Sequence, residues 1–124
     1  MTPGAEKREL GRWGEDRAAE YLRRKGYRIV ERNYAGRFGE IDIIARDRRF
    51  VIFAEVKLRK NADFAQAREF VTPAKQRRIG LTARYWLMCH PTELQPRFDV
   101  VEVYAQEGRV REINHIENAF TVEE

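Results

Sequence analysis

The segment Phe50–Leu58 limits the possible folds of this sequence more than any other. Apolar and β-branched residues occupy both of its faces, which is typical of a strand covered on both sides of a sheet. At its end, Glu55 and Lys57 share one face with Val51 and Phe53. Charged residues at the end of a buried strand indicate either a functional pocket or a same-face ion pair at the sheet edge. The pattern predicts a covered sheet and leaves both interpretations of the pair open.

The remaining periodicities predict two helices and four further strands. The first helix is predicted over Glu6–Lys25, and Thr72 followed by Pro73 predicts a second helix that ends near Cys89. The other predicted strands are Tyr27–Asn33, Phe38–Arg46, Arg97–Ala105 and Arg109–His115, with turns at Tyr34–Arg37 and Asp47–Arg49. This α-β-β-β-α-β-β order predicts an α/β fold with a mixed central sheet flanked by helices. We expect a single domain over residues 1–124, with its core at about 8–105 and a loose acidic tail at 117–124.

The charge of the chain favours a phosphate-bearing partner. Charged residues make up 35% of the sequence, the net charge is +4, and arginine outnumbers lysine by 19 to 5. Guanidinium groups bind phosphates bidentately, so the composition favours a phosphate-bearing partner, although a solvated surface explains much of this charge. The single cysteine, Cys89, excludes an internal disulfide. Without a signal-peptide pattern or an apolar run of membrane length, we expect a cytoplasmic protein with no membrane partner.

Asp42 lies in the otherwise apolar second strand, where a lone acid is costly to bury. If this strand and the next form a hairpin with Arg46 opposite Val51, Asp42 lies opposite Glu55. Two such carboxylates repel unless a cation lies between them, and oxygen ligands favour Mg²⁺. Lys57 would stand beside this ion. A register shifted by one residue would place the two acids on opposite faces and remove the prediction.

The two predicted helices add further candidates. Glu15 lies at the margin of the apolar stripe of the first helix and can face the sheet edge, although an exposed helical glutamate explains it equally well. Gln76 falls on the inward stripe of the second helix, where a buried amide needs partners. Its neighbours are typical either of phosphate contacts at a helix start or of a solvated helix face; they are Lys75, Arg77 and Arg78.

A second apolar stripe on the far side of the second helix must also be covered. Its residues are Leu81, Tyr85 and Met88. Either the C-terminal tail covers them, through Ile116 and Phe120, or a second copy of the chain does so in a homodimer.

Two further signals are interpreted as structural. Asp99 is expected to pair with Arg97 or Arg59 at the end of the sheet, with a role in the site as the less favoured alternative. Trp13 and Trp86 lie on apolar stripes, so we expect core positions rather than base-stacking platforms.

Several spaced motifs resemble the YraN-like bacterial proteins, a family of uncharacterised function. In the family's order, and over about residues 8–105, they are Gly14-Glu15, Gly26-Tyr27, Arg32-Asn33, Gly39-Glu40-Ile41-Asp42, Glu55-Val56-Lys57-Leu58-Arg59, Lys75-Gln76-Arg77-Arg78-Ile79 and Arg97-Phe98-Asp99-Val100-Val101. That family is similar to the restriction-endonuclease-like, or PD-(D/E)-x-K, nuclease superfamily, and within it to archaeal Holliday-junction resolvases. The resemblance implies an αβββαβ core and Mg²⁺-dependent (or Mn²⁺-dependent) phosphodiester hydrolysis in branched DNA. Ile41, where the superfamily label has Pro, and the small Ala54 depart from the pattern.

The resemblance also implies residue roles. The five catalytic candidates that it matches are Glu15, Asp42, Glu55, Lys57 and Gln76. The ion would be held by Asp42, Glu55 and the Val56 carbonyl, with Glu15 bound directly or through water. Lys57 would orient the attacking water or stabilise developing negative charge. Flanking phosphates would be contacted by Arg59, Lys75, Arg77 and Arg78.

Family membership alone does not establish activity, so two other functions remain open. One is a nucleic-acid-binding module that retains the nuclease fold without turnover. The other is a protein-interaction domain whose basic charge is incidental. A nuclease would lose cleavage but not DNA binding on Asp42→Ala or Glu55→Ala, whereas binding by the module would ignore both substitutions.

Overall fold

Seven elements make up the fold in the computed structural model, which describes residues 3–59 and 71–122. They are α1 (Pro3–Arg24), β1 (Arg28–Gly36), β2 (Gly39–Arg46), β3 (Phe50–Arg59), α2 (Pro73–Cys89), β4 (Gln95–Gln106) and β5 (Arg109–Phe120). The strands form one sheet in the order β1-β2-β3-β4-β5, antiparallel except for the parallel pair β3–β4. The predicted α/β fold with a mixed sheet is therefore confirmed. Among the described helices, none is long and apolar enough to cross a membrane.

The two helices cover opposite faces of the sheet, because each has one apolar side to bury. On the α1 side, Ala18 and Leu22 pack with sheet residues that include Ile52 and Ala54. On the α2 side, the buried cluster comprises Ile41, Ile44, Val51, Phe53, Val71, Ile79, Ala83, Trp86 and Val100. Alternate residues of β3 thus enter both clusters, which confirms that this strand is buried on both faces.

The sheet forks between β2 and β3. Their pairing runs from Arg46↔Val51, the predicted register, to Ile43↔Ala54 and ends there. Beyond this point β2 continues along β1 and β3 continues along β4. Asp42 and Glu55 are the first residues past the last pair, and we call the opening between them the fork.

The β1–β2 connection and the start of α2 can now be compared with the sequence. The predicted turn at Tyr34–Arg37 is wrong, because the ladder continues to the pair Gly36↔Gly39 and the turn is at residues 37–38. Tyr34 packs on the α2-side core, and this burial keeps the segment in the strand. The start of α2 is confirmed: Thr72 Oγ1 accepts the backbone N–H of Lys75 at 3.2 Å.

The C-terminal segment is strand rather than a loose tail. β5 extends to Phe120, which pairs with Phe98 beyond an irregularity in the register, and the two rings stack with centroids 5.3 Å apart. The backbone N–H of Asn118 also donates to Asp99 Oδ1 at 3.0 Å. These contacts outweigh the polar composition from which a tail at 117–124 was predicted. Residues 123–124 lie outside the described residues.

The second apolar stripe of α2 remains open to solvent in the part of the chain described. Its residues are exposed by 39% (Leu81), 47% (Tyr85) and 75% (Met88). Of the two covers that the sequence left open, the C-terminal segment does not reach the stripe, because Ile116 pairs with Val100 in the sheet and Phe120 stacks on its own sheet neighbour. The segment then passes another side of α2, where Val122 lies against Gly80.

Candidate metal centre

Three carboxylates converge at the fork from α1 and β2. One oxygen from each of Glu15, Glu40 and Asp42 lies within 4.8 Å of the other two. Oxygens that bind one Mg²⁺ ion at about 2.1 Å lie roughly 3–4 Å apart, so small side-chain movements would bring these three into that range. The donor chemistry and the spacing therefore fit a hard divalent cation. Of the predicted ligands, the fork brings Glu15 and Asp42 together and adds Glu40.

Asn33 holds two of these carboxylates from β1. Its Nδ2 donates to Glu15 Oε1 at 2.7 Å and to Glu40 Oε1 at 3.3 Å. The residue has a φ of 52°, a left-handed conformation that asparagine tolerates better than most residues. It falls between the pairs Arg32↔Ile43 and Tyr34↔Ile41, and so lies across from Asp42. A local irregularity of β1 thus directs a neutral donor at the acids.

Asp42 occupies the position where the β2–β3 ladder ends. Its Oδ2 accepts the backbone N–H of Val56 at 2.8 Å, which replaces the missing ladder hydrogen bond. Burial and the nearby charge of Glu55 raise the pKa of Asp42 to about 7, with Glu15 adding to the rise and the Val56 hydrogen bond opposing it. A carboxyl with such a pKa is destabilised as an anion, and perturbed acids of this kind concentrate at functional sites.

Glu55 lies on the other side of the fork, where two lysines contact it. Its Oε1 is 2.5 Å from Lys75 Nζ and 3.7 Å from Lys57 Nζ, and the residue is 6% exposed. The same-face ion pair, one of the two interpretations that the sequence left open, is therefore present, and it lies next to the candidate metal centre. Lys75, which was predicted to contact phosphates, reaches from α2 to this carboxylate instead.

The remaining predicted site residues lie around the fork with other partners. Gln76 donates its amide to the Val71 carbonyl at 2.9 Å, which fixes the start of α2. Arg59 Nη2 lies 3.3 Å from Glu102 Oε2. Arg77 and Arg78 lie on α2, where Arg78 is exposed and Arg77 is partly exposed. Of the four predicted phosphate contacts, these last two retain the most open surface.

Sequence reasoning did not select Glu40 and Asn33. A signal for Glu40 was present, since a residue two positions from Asp42 on a strand falls on the same face under regular alternation. No comparable signal existed for Asn33, whose contacts depend on its left-handed backbone. Glu40 is also exposed, and so lacks the burial that made Asp42 conspicuous.

A second polar cluster lies on β4 and β5, on the other side of β3 from β2. Asp99 is fully buried and accepts from Arg97 Nε at 2.9 Å and Nη2 at 2.8 Å, which confirms the predicted pair. His115 Nε2 lies 2.7 Å from the same carboxylate. Burial alone would raise the pKa of Asp99, but its hydrogen bonds from His115, Arg97 and the Asn118 N–H hold it below the ordinary value. This cluster joins β4 to β5.

Sequence similarity to known proteins extends over nearly the whole chain. The model of the uncharacterised protein family UPF0102 matches residues 14–103, a span that includes every residue of the fork named above. A UPF0102 protein of Syntrophotalea carbinolica is 46% identical over 115 residues, covering 92% of this chain and 93% of the relative. One from Prosthecochloris aestuarii is 49% identical over 121 residues, with 93% and 95% covered. A third, from Syntrophomonas wolfei, is 43% identical over 114 residues, with 91% and 98% covered.

Proposed function

This chain belongs to the uncharacterised protein family UPF0102, and we propose that it is a metal-dependent endonuclease that hydrolyses phosphodiester bonds in branched DNA. The order α1-β1-β2-β3-α2-β4 supports a restriction-endonuclease-like core, because it is the αβββαβ order of that superfamily. The family name carries no activity, so the proposal stands on the site.

The convergence of Glu15, Glu40 and Asp42 beside Glu55 and Lys57 is the observation that carries the proposal. Four acids lie close together at one opening of the sheet, and after burial, repulsion from Glu55 and Glu15 contributes to the raised pKa of Asp42. A fold that only needed stability would gain nothing from such a group. A bound divalent cation would relieve the repulsion between these carboxylates and would explain why they lie together.

Mg²⁺ or Mn²⁺ would be held by Asp42 with Glu15, Glu40 and Glu55, and by the Val56 carbonyl at the mouth of the fork. When bound, such an ion makes a water molecule more acidic and neutralises charge on a scissile phosphate. Asn33 keeps two of the carboxylates in place through its amide. Preorganised ligands of this kind reduce the reorganisation that the reaction requires.

Two lysines supply positive charge at the reacting phosphate. Lys57, on the same face of β3 as Glu55, would orient the attacking water or stabilise negative charge as it develops. Lys75, held by Glu55 in the protein alone, would be released towards a phosphate when a cation takes over that carboxylate. The exposed guanidinium groups of Arg77 and Arg78 would contact the flanking backbone.

Cleavage of a labelled four-way junction, compared with a linear duplex of the same sequence, tests the proposal. With Mg²⁺ or Mn²⁺ the protein should cut the junction. Asp42→Ala and Glu55→Ala should abolish cutting, and Glu40→Gln should slow it at least about tenfold, while all three retain binding in EDTA. Glu9→Ala, an exposed acid of α1, is the matched control and should cut normally.

A non-catalytic nucleic-acid-binding module is the second candidate, and the Lys75–Glu55 ion pair favours it. An ammonium at 2.5 Å already compensates the Glu55 carboxylate without a metal. Salt-dependent junction binding, with no cleavage in either metal and no metal-induced rise in Tm, would select this alternative. No binding at moderate salt would exclude both candidates.

A further inference from the structure

A partly exposed aromatic pair lies at the tip of the β1–β2 hairpin, two residues from Glu40. Phe38 in the turn contacts Tyr85 of α2, with ring centroids 5.9 Å apart and 41° between the ring planes. Tyr85 is 47% exposed. The guanidinium carbon of Arg37 lies 5.8 Å from the centre of the Phe38 ring. We call Phe38 and Tyr85 the aromatic platform; it presents open ring surface and an adjacent positive charge to solvent.

One face of α2 leads from the fork to this platform. At 100° per residue, Lys75, Arg78 and Tyr85 fall within about 80° of one another around the helix. Lys75 lies on Glu55, and Arg78 lies beside the hairpin, where a Cβ built on Gly39 would be 3.7 Å from the Arg78 Cβ. From Lys75 to Tyr85 the helix rises about 15 Å. A nucleic-acid backbone that enters the fork would therefore meet two cations and then an aromatic surface.

The charge of α2 favours a polyanion over a second copy of the chain as the partner that binds this face. The helix carries four cations and no acid; the cations are Lys75, Arg77, Arg78 and Arg84. Two copies of the chain meeting through it would bring eight cations together without counter-charges from α2, which opposes self-association. A polyanion gains from the same charges. Exposed aromatic rings next to such a track are the combination that binds single strands, because every base offers a face for stacking.

We propose that Phe38 and Tyr85 stack on unpaired bases of the strand whose backbone enters the fork. This inference rests on the proposed function and adds a substrate class to it: nucleic acid with unpaired nucleotides next to the cleaved bond, rather than blunt duplex. Arg37 and Arg78 would contact the phosphates between the stacked bases and the metal centre.

Binding without cleavage tests the platform separately from catalysis. In EDTA, fluorescence anisotropy would compare a duplex carrying a single-stranded overhang with a blunt duplex of the same paired length. We expect the parent protein to bind the overhang duplex more tightly than the blunt duplex. In Tyr85→Ala and in Phe38→Ala, the affinity for the overhang duplex should fall by about 5- to 100-fold, which is roughly what one stacked base contributes. Blunt-duplex binding should change less than about twofold. Tyr85→Phe should keep overhang binding, as should Met88→Ala, which removes a 75% exposed apolar side chain from the same helix.

Each other outcome contradicts the inference in a distinct way. Unchanged overhang binding in Tyr85→Ala and Phe38→Ala, with normal Tm and normal junction cleavage, overturns the platform and leaves the nuclease proposal standing. Platform-dependent binding in a protein that never cleaves supports the platform and overturns the nuclease. A dimer by light scattering that Tyr85→Ala converts to a monomer assigns this face to a second copy of the chain and overturns the inference.

Discussion

The ammonium of Lys75 lies 2.5 Å from the carboxylate of Glu55, so α2 places a positive charge inside the fork that β2 and β3 open. Lys75 also lowers the pKa of Asp42 across the opening, against the larger effects of burial and Glu55. The helix therefore balances part of the negative charge that α1 and the sheet bring together. A metal ion that enters the fork must share Glu55 with this lysine.

Neutralising Lys75 should strengthen metal binding. In Lys75→Gln the carboxylate of Glu55 keeps its charge but loses its competitor, so we expect Mg²⁺ to bind roughly 10-fold more tightly, a change that Coulomb attraction over a few ångströms accounts for. Isothermal titration calorimetry at low salt and pH 8 measures this directly. Arg77→Gln removes the same charge from another position on α2 and serves as control. Equal tightening in both variants would mean that only net charge matters.

Replacing Asp42 by asparagine should stabilise the metal-free protein. The folded-state pKa of about 7 lies above the ordinary value of 3.8, so the carboxyl favours the fold at pH 4 and below, and this contribution is lost as the pH rises towards 7. The neutral amide in Asp42→Asn avoids the loss, and its oxygen can still accept the Val56 N–H. We expect the free energy of unfolding of Asp42→Asn to exceed that of the parent by up to about 4 kcal/mol at pH 8, and to differ little from it at pH 4.

Urea denaturation in EDTA across this pH range gives the comparison for Asp42→Asn. Glu9→Gln, on the exposed side of α1, should leave the free energy of unfolding close to that of the parent at both pH values. Added Mg²⁺ should stabilise the parent protein and not Asp42→Asn. A variant that is less stable than the parent at pH 8 in EDTA would contradict the account of a repelled, partly buried carboxylate.

Asp99 and Glu117 both contact the guanidinium of Arg97, and removing each of them should lower the free energy of unfolding by a different amount. Asp99 is fully buried against Arg97, so Asp99→Asn removes the buried counter-charge of this guanidinium and leaves only the half-exposed Glu117 beside it, which should cost about 3–5 kcal/mol. The Glu117 side chain lies 3.1 Å from Arg97 but is half exposed, so Glu117→Gln should cost less than about 1 kcal/mol. Chemical denaturation at pH 7 separates the two variants.

The Asp99 contribution should also depend on pH with a defined sign. Since hydrogen bonds hold its folded-state pKa below the ordinary value, its stabilisation is complete above the unfolded value near 4 and is lost as the pH falls through the lower folded value. The gap between the parent and Asp99→Asn should accordingly shrink in acid. A gap that widens below pH 4 would refute this interpretation of the cluster.

A pair of helical glycines offers a test of the C-terminal contact. A Cβ at Gly11 meets nothing within 4 Å, so Gly11→Ala should stabilise the protein by about 0.5–1 kcal/mol through helix propensity. A Cβ at Gly80 would overlap the side chain of Val122, so Gly80→Ala must displace the end of the chain. We expect no net stabilisation there and faster amide exchange at residues 121–122. Equal stabilisation by both substitutions would show that Val122 does not hold the C-terminal segment.

The centre of the fold follows from local sequence patterns, and its ends do not. The short polar turn at 47–49 fixes Arg46 opposite Val51, and the double burial of β3 follows from apolar residues on both of its faces. Past the last pair, tertiary contacts decide: the fork depends on Asp42 bonding to Val56, and the end of β5 on Phe120 stacking against Phe98. Such pairings join residues far apart in the chain.

The candidate site shows the same division. Asp42, Glu55 and Lys57 could be selected because charge inside an apolar strand is conspicuous in one sequence. Glu40 and Asn33 are polar residues near a turn, where polarity is ordinary, and only their mutual contact makes them notable. Lys75 could be placed on the correct helix but not on Glu55, since the reach of a lysine across two elements has no periodic signature.

The strand order β1-β2-β3-β4-β5 has a consequence for how the chain assembles. Within residues 3–59 and 71–122, every hydrogen-bonded pair of strands is also consecutive along the chain, so three of the four pairings close over a tight turn. The pairing of β3 with β4 is the exception, because the helix between these strands must fold and cross the sheet first. Parallel pairings of this kind are slow to form. We expect this late step to limit the folding rate. The acids on α1, β2 and β3 would then come together before α2 docks and brings Lys75, whose positive charge reduces their mutual repulsion.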